Sequence, residues 1–283
     1  GDNGKAGDAK TPGTTVANVA QQAWMADVAT KVVLPMFKAR NKPFVLVFWA
    51  RDPDGTVREL ARDLPGINTI VVAPDGRVLA TQTNPVGRLL EIDPAGRAPP
   101  RVLYEPTGGL DGFAIDADGV SVGPQQDPSL SRIVELDPAT RALRVLAAGL
   151  AWPTGVKRSP AGEYFAVDLG AGRLLRVDRS GATPPVTVAQ FEPGLDNLAI
   201  ARDGHVYVSH IPTSSIWEVE PRSGARRAVV QGHFGVPAGL ACRRGPGGDE
   251  LYVADVFTLK RVDVATRQVT TLEESLRKAK AEA

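Results

Sequence analysis

A small-residue turn recurs at near-constant spacing along most of this chain, and that recurrence limits the fold more than any other feature. Asp75-Gly76, Asp118-Gly119, Ala161-Gly162 and Asp203-Gly204 head equivalent turns, 43, 43 and 42 residues apart. A fifth, enlarged copy is Arg244-Gly245-Pro246-Gly247-Gly248-Asp249. An apolar run leads into each turn: Ile70 to Val72, Phe113 to Ile115, Val156, Leu198 to Ile200, and Leu240 to Cys242. A second run leaves it: Arg77 to Ala80, Val120 to Val122, Tyr164 to Val167, Val206 to Val208, and Leu251 to Val253. Third runs (Arg88 to Ile92, Arg132 to Leu136, Arg173 to Val177, Ile216 to Val219, Leu259 to Val262) mostly end in an acid followed by a turn. Fourth runs close each unit at Arg101 to Tyr104, Leu143 to Leu146, Val186 to Ala189, Ala228 to Gln231 and Gln268 to Leu272. Runs this short, bounded by Gly, Pro and Asp, read as strands. Four strands per unit of this length is the signature of a β-propeller blade, with a solenoid of shorter repeats as the alternative. The 29 Gly and 23 Pro of the 283 residues fit many short strands better than long helices.

The expected fold class is therefore all-β: a β-propeller of five complete four-stranded blades over 65–273, plus a partial sixth, with an N-terminal helix and a short C-terminal helix. Thr56 to Leu64 reads as the last strand of a preceding blade, and Phe44 to Arg51 as its third strand, so the propeller is expected to span 43–273 with 43–64 the partial blade. Residues 1–42 read as a flexible lead-in followed by a helix over 16–40, from the spacing of Val16, Val19, Trp24, Val28, Val32 and Phe37. Residues 274–283 form a charged tail of helical propensity.

Three resemblances follow from particular residues. Pro153-Thr154-Gly155-Val156 through Asp168, Leu195-Asp196-Asn197-Leu198 through His210, and Pro237-Ala238-Gly239-Leu240 through Asp255 resemble NHL-type repeats. They are also similar to blades of the senescence marker protein/gluconolactonase-like six-bladed propellers. Ala26 to Lys38 followed by Pro43 to Thr56 resembles an internal piece of the alkaline phosphatase/phosphodiesterase superfamily. There Asp54 matches a zinc-binding Asp, but Arg58 stands at the family's His position. One carboxylate is not a metal site, so no phosphatase activity is carried over. The meeting of the two patterns near Asp52-Pro53-Asp54-Gly55 suggests a chimeric chain.

In a propeller the first strand of each blade begins at the face where the second ends, so two rings of side chains are expected around the axis there. The first comprises Asn68, Asp111, Thr154, Asp196 with Asn197, and Ala238; the second comprises Gln82, Gln125, Asp168, His210 and Asp255. Oxygen ligands on a ring suit Ca²⁺ or another hard divalent cation. The gluconolactonase-like resemblance implies such an ion on the axis and an Asp as acid/base. It carries Asp111 and Asp196 onto the Asp positions and Asn68 onto the Asn position, while the family's Glu has no counterpart. The expected site is thus Asp196 and Asp111 as catalytic residues, Asn68, Asp111, Asp196 and Asn197 as metal ligands, and the second ring as ligand-binding. The expected function is metal-dependent hydrolysis of a small ester or lactone. The rival is a non-catalytic platform for a peptide or other ligand, since polar residues also merely solvate a mouth. A phosphatase relative ranks last.

A formal net charge of +1 implies no nucleic-acid partner. No apolar run is long enough for a transmembrane helix, so no membrane is expected. Cys242 is the only cysteine, which rules out an intrachain disulfide and fits either a secreted or a cytoplasmic protein. His210 and His233 read as mouth histidines held by a neighbour rather than as catalytic bases.

Overall fold

The computed structural model describes residues 60–273, except 62–63, 74–75, 84–86, 106–108, 116–120, 127–129, 138–139, 141, 246 and 256–257. The expected lead-in, the helix over 16–40, the phosphatase-like stretch, the strand at Phe44 to Arg51 and the tail at 274–283 fall outside these residues. Of Thr56 to Leu64 only Leu60, Ala61 and Leu64 are described, and they are not in a strand. No helix among the described residues is long and apolar enough to cross a membrane.

Five four-stranded blades follow one another in chain order. Blade 1 holds β1 (Ile67–Val72), β2 (Val78–Gln82), β3 (Arg88–Ile92) and β4 (Arg101–Tyr104). Blade 2 begins with a divided inner strand, β5 (Gly109–Leu110) and β6 (Ala114–Ile115), and continues through β7 (Ser121–Gln126), β8 (Arg132–Leu136) and β9 (Leu143–Ala147). Blade 3 is β10 (Pro153–Arg158), β11 (Tyr164–Asp168), β12 (Arg173–Val177) and β13 (Val186–Gln190). Blade 4 is β14 (Leu195–Ile200), β15 (Val206–His210), β16 (Ser215–Val219) and β17 (Arg226–Gln231). Blade 5 is β18 (Pro237–Gly245), β19 (Gly248–Asp255), β20 (Thr258–Asp263) and β21 (Val269–Glu273). Each blade is an antiparallel meander of consecutive hydrogen-bonded strands, and in blade 2 both β5 and β6 pair with β7.

The recurring turns explain the regular period. Gly76, Gly162 and Gly204 have φ of 86°, 90° and 96°, a region that side chains disfavour. Each donates its N–H to a carbonyl three residues back: Ala73, Ser159 and Ala201. The acids that end the third strands organise the next turn. Asp178 accepts from Ser180 and Thr183, and these bonds, led by the Ser180 hydroxyl, lower its pKa to about 2. Glu220 does the same for Ser223 and Arg222 and is lowered to about 2. Asp93 and Asp263 repeat the device.

Neighbouring blades share apolar cores. Leu79, Leu103, Phe113 and Leu136 join blades 1 and 2. Ala114, Ile133, Val156, Tyr164 and Leu175 join blades 2 and 3. Phe165, Val167, Leu174, Leu198 and Val208 join blades 3 and 4. Tyr207, Ile216, Leu251, Val253 and Val262 join blades 4 and 5. Polar ties cross the same seams: Tyr207 Oη donates to buried Asp249 at 3.1 Å, and Glu135 of blade 2 holds both Arg144 and Arg179.

Blade 2 departs from the pattern for a steric reason. The inner strand is interrupted at Asp111-Gly112-Phe113, and Phe113 packs onto Gly123, where an added Cβ would sit 2.8 Å from its own. Gly112 instead bridges in parallel to Gly155 of blade 3. Its N–H donates to Thr154 O at 2.9 Å and its carbonyl accepts from Val156 N at 2.9 Å. Only glycine fits here, because a Cβ would come within 2.9 Å of Thr154 O.

Candidate functional site

The face where first strands begin and second strands end is the candidate mouth. Four first strands carry a register irregularity at that end, between Ile67 and Ile70, Pro153 and Gly155, Leu195 and Leu198, and Pro237 and Gly239. Bulges re-aim side chains and concentrate next to functional sites. Asn68, Thr154, Asp196, Asn197 and Ala238 all sit on them. In blade 2 the interruption at Asp111 takes the same place.

The first-ring residues are held in different ways. Thr154 Oγ1 donates to Asp196 O at 2.5 Å, tying the inner strands of blades 3 and 4 together. Asn197 Oδ1 accepts from Leu198 N at 2.9 Å, and its own N–H donates to Ser209 Oγ at 3.0 Å. Asn68 is exposed, and its Oδ1 accepts from Thr69 Oγ1 at 3.1 Å. Asp111 is half-buried, with Oδ1 accepting from Gly112 N at 2.8 Å. Asp196 is half-buried as well, and its carboxyl titrates far from the usual range. Burial, with repulsion from Asp111 second, pushes its pKa up to about 7. The two acids therefore share one electrostatic environment at the mouth, though they belong to blades that are not adjacent.

A residue the sequence reading passed over joins them. Lys157 lies on β10 facing the same side as Gly155, half-buried. Burial pulls its ammonium below the usual lysine range, against the attraction of Asp111. The repeat held a signal for it. Counting back from the equivalent turns, the matching positions are Val71, Ala199 and Ala241, so blade 3 alone of these has a charge there.

The second-ring residues expected to bind a ligand are held by the protein's own groups. They are buried, and each is engaged within its own blade. Asp168 is completely buried; it accepts from Trp152 N at 2.7 Å, Ala151 N at 3.2 Å and Arg173 at 2.7 Å. Asp255 accepts from Val236 N and Lys260, each at 2.7 Å. Burial alone would raise its pKa, but the Lys260 bond and the N–H groups of Gly235 and Val236 bring it below the ordinary value. His210 meets Thr213 Oγ1 at 2.6 Å and Glu192 O at 3.2 Å, as expected for a held histidine. Gln82 Nε2 donates to Pro65 O at 2.6 Å, and Gln125 Oε1 accepts from Arg132 at 2.7 Å. Gln82, Asp168, His210 and Asp255 bind the loop that leads into their blade's first strand. They are corner staples, and their regular spacing reflects the blade period.

The expected calcium cage is not supplied by these residues. Hard divalent ions take six to eight oxygen ligands. The described first-ring residues offer two carboxylates, while the side-chain oxygens of Asn68, Thr154 and Asn197 already serve the backbone or a neighbour. Among the described residues no three His, Cys, Asp or Glu cluster as ligands, and Lys157 already places a positive charge beside Asp111.

Comparison with known proteins agrees on the fold. No family model matches the sequence, so the phosphatase-like stretch gains no support there, and no curated protein matches. Solved structures do. A gluconolactonase from Xanthomonas campestris aligns with TM-score 0.61 and 20% identity over 72% of this chain and 74% of its own. Virginiamycin B lyase from Staphylococcus aureus, a catalytically inactive form with quinupristin, gives 0.60 and 15% over 78% and 75%. A PQQ-bound aldose sugar dehydrogenase from Streptomyces coelicolor gives 0.60 and 18% over 77% and 84%. The chain shares a propeller fold with proteins of different chemistries, gluconolactonase-like propellers among them. At these identities the likeness concerns the fold alone.

Proposed function

We propose that the mouth hydrolyses a small ester or lactone, with Asp196 as general base. The observation that carries this is a half-buried carboxyl on a strand bulge whose pKa is raised to about 7 by burial and by Asp111. A base poised near the working pH combines a useful ionised fraction with a strong drive to take a proton. Asp196 removes a proton from the water that attacks the carbonyl carbon, then returns it to the leaving oxygen. Asp111 makes Asp196 the stronger base, because its charge disfavours a second negative charge beside it. Lys157 supplies the positive charge that the developing oxyanion needs. No step runs through a metal ion. The gluconolactonase-like neighbours support the substrate class by analogy of fold only.

The second reading is a binding platform, favoured by the internal engagement of the second ring. A panel of γ- and δ-lactones and aryl esters, followed by pH-stat with calcium or with chelator, separates the two. The hydrolase reading expects turnover that rises through about pH 7 in the wild type. It expects Asp196→Asn to cut turnover on the order of 100-fold or more. Absence of turnover across the panel in both conditions would leave the platform standing. Turnover only with calcium would restore the metal.

A further inference from the structure

Blade 5 has one covered face and one bare face, and the contrast with its neighbours is sharp. In β11 and β15 every residue is buried, because blades lie against both faces of those sheets. β19 alternates instead: Leu251, Val253 and Asp255 are buried, Tyr252 is half-buried and Ala254 is exposed. The equivalent of Ala254 in blade 4 is Ser209, with no exposure at all. Gly239, Ala241, Ala254 and Leu259 lie together on this face by register. Ala241 is exposed, and Leu259 is 40% exposed. Around Ala254 these side chains are small or apolar and suit close approach by another strand, while further along the same face the register places Tyr252, Arg243, Glu250 and Arg261, which pair among themselves. Among the described residues no apolar core joins this face to blade 1, unlike the four other seams.

The opposite wall of the gap shows what comes near it. The outer face of blade 1 presents Ile67, Ile70, Val78, Ala80, Leu90 and Ile92. Leu60, Ala61 and Leu64 pack on it. Leu60, where the described residues begin, therefore lies on the wall that faces the gap. The upstream chain contains Phe44-Val45-Leu46-Val47-Phe48-Trp49-Ala50, the longest unbroken apolar run read as a strand, only ten residues from Leu60.

We infer that the bare face of blade 5 is the docking surface for residues 44–50 of the same chain, which close the ring between blades 5 and 1. The segment has the composition of a strand buried on both faces, the blade 1 wall is apolar, and the blade 5 wall is small and apolar around Ala254 and Leu259. A second copy of the protein is the competing occupant. The hydrolytic reading of the mouth plays no part in this inference.

Cysteine protection in the full chain tests it. In a Cys242→Ala background, Ala254→Cys is labelled with a maleimide and compared with two references. Ala161→Cys lies on an exposed turn, and Ser209→Cys lies at the covered equivalent in blade 4. Docking predicts that Ala254→Cys reacts at least about tenfold more slowly than Ala161→Cys. Adding Val45→Asp with Val47→Asp should release it, while Ser209→Cys stays protected and shows that the blades remain folded. Labelling of Ala254→Cys as fast as Ala161→Cys overturns the inference. So does protection that ignores the two aspartates. Light scattering that shows a dimer would then assign the face to a second copy.

Discussion

Replacing Asp168 by Asn tests whether the second ring holds the blades together or serves a ligand. The substitution keeps the shape and changes only charge and donor pattern. One amide oxygen can still accept from Trp152 N at the present 2.7 Å. The other position becomes an NH₂ facing Ala151 N and the Arg173 guanidinium, both donors. Two buried bonds to a charged acceptor are lost, and donors are set against donors in a site without solvent. Breaking a buried ion pair from one side costs about 3–5 kcal/mol. Arg173 is 30% exposed and can turn to water, which favours the low end. We expect a loss of about 3 kcal/mol, or roughly 6–12 °C in Tm for a domain of this size. Urea denaturation at pH 7 should show a lower midpoint with an unchanged slope. A loss under about 1 kcal/mol would refute the staple reasoning and return Asp168 to the list of possible ligand contacts.

Two further outcomes follow from named contacts. Gly172→Ala places a Cβ 2.3 Å from Phe191 O and 2.5 Å from Glu192 O at φ 64°, so thermal melts should show a loss of more than about 2 kcal/mol. Gly76→Ala, at φ 86° with open space around it, should cost only about 1 kcal/mol of backbone strain, and equal losses would contradict the packing argument. Asp196→Asn should stabilise the protein at high pH. Because the folded pKa is raised from 3.8 to about 7, the folded state holds the proton more tightly, and stability falls as pH rises through that window. The full shift at 1.36 kcal/mol per unit sets a ceiling of roughly 4 kcal/mol. Chemical denaturation should therefore find the variant about 2–4 kcal/mol more stable at pH 8 and equal to the wild type near pH 4.

The blades were legible because their periodicity is carried by the core itself. Arg88–Ile92, Arg132–Leu136 and Arg173–Val177 are strands over the very residues the pattern marked. The mouth was only half legible. Asp111 and Asp196 were found as polar residues at strand starts, and the structure couples them. The bulges that aim the first-ring residues leave no trace in composition, since they are a matter of backbone pairing. The internal partners of the second ring were not legible, because a polar residue repeated at a strand end looks the same whether it meets a ligand or a loop N–H. Only the hydrogen bonds of Asp168 and Asp255 separate the two cases. The signal for Lys157 lies at a mid-strand position compared between blades, not at a strand end where the two rings sit.

The central claim is that Asp196 shares its proton equilibrium with Asp111. Carbon-13 NMR of labelled aspartate carboxyls, titrated from pH 3 to 9, reads this directly. One carboxyl should titrate near 7, vanish in Asp196→Asn, and move to lower pH in Asp111→Asn. The move should be partial, because burial is the larger cause and stays. If every aspartate titrates below about 5, the mouth has no base poised for catalysis, and if the high value ignores Asp111→Asn, the two acids do not share a proton equilibrium.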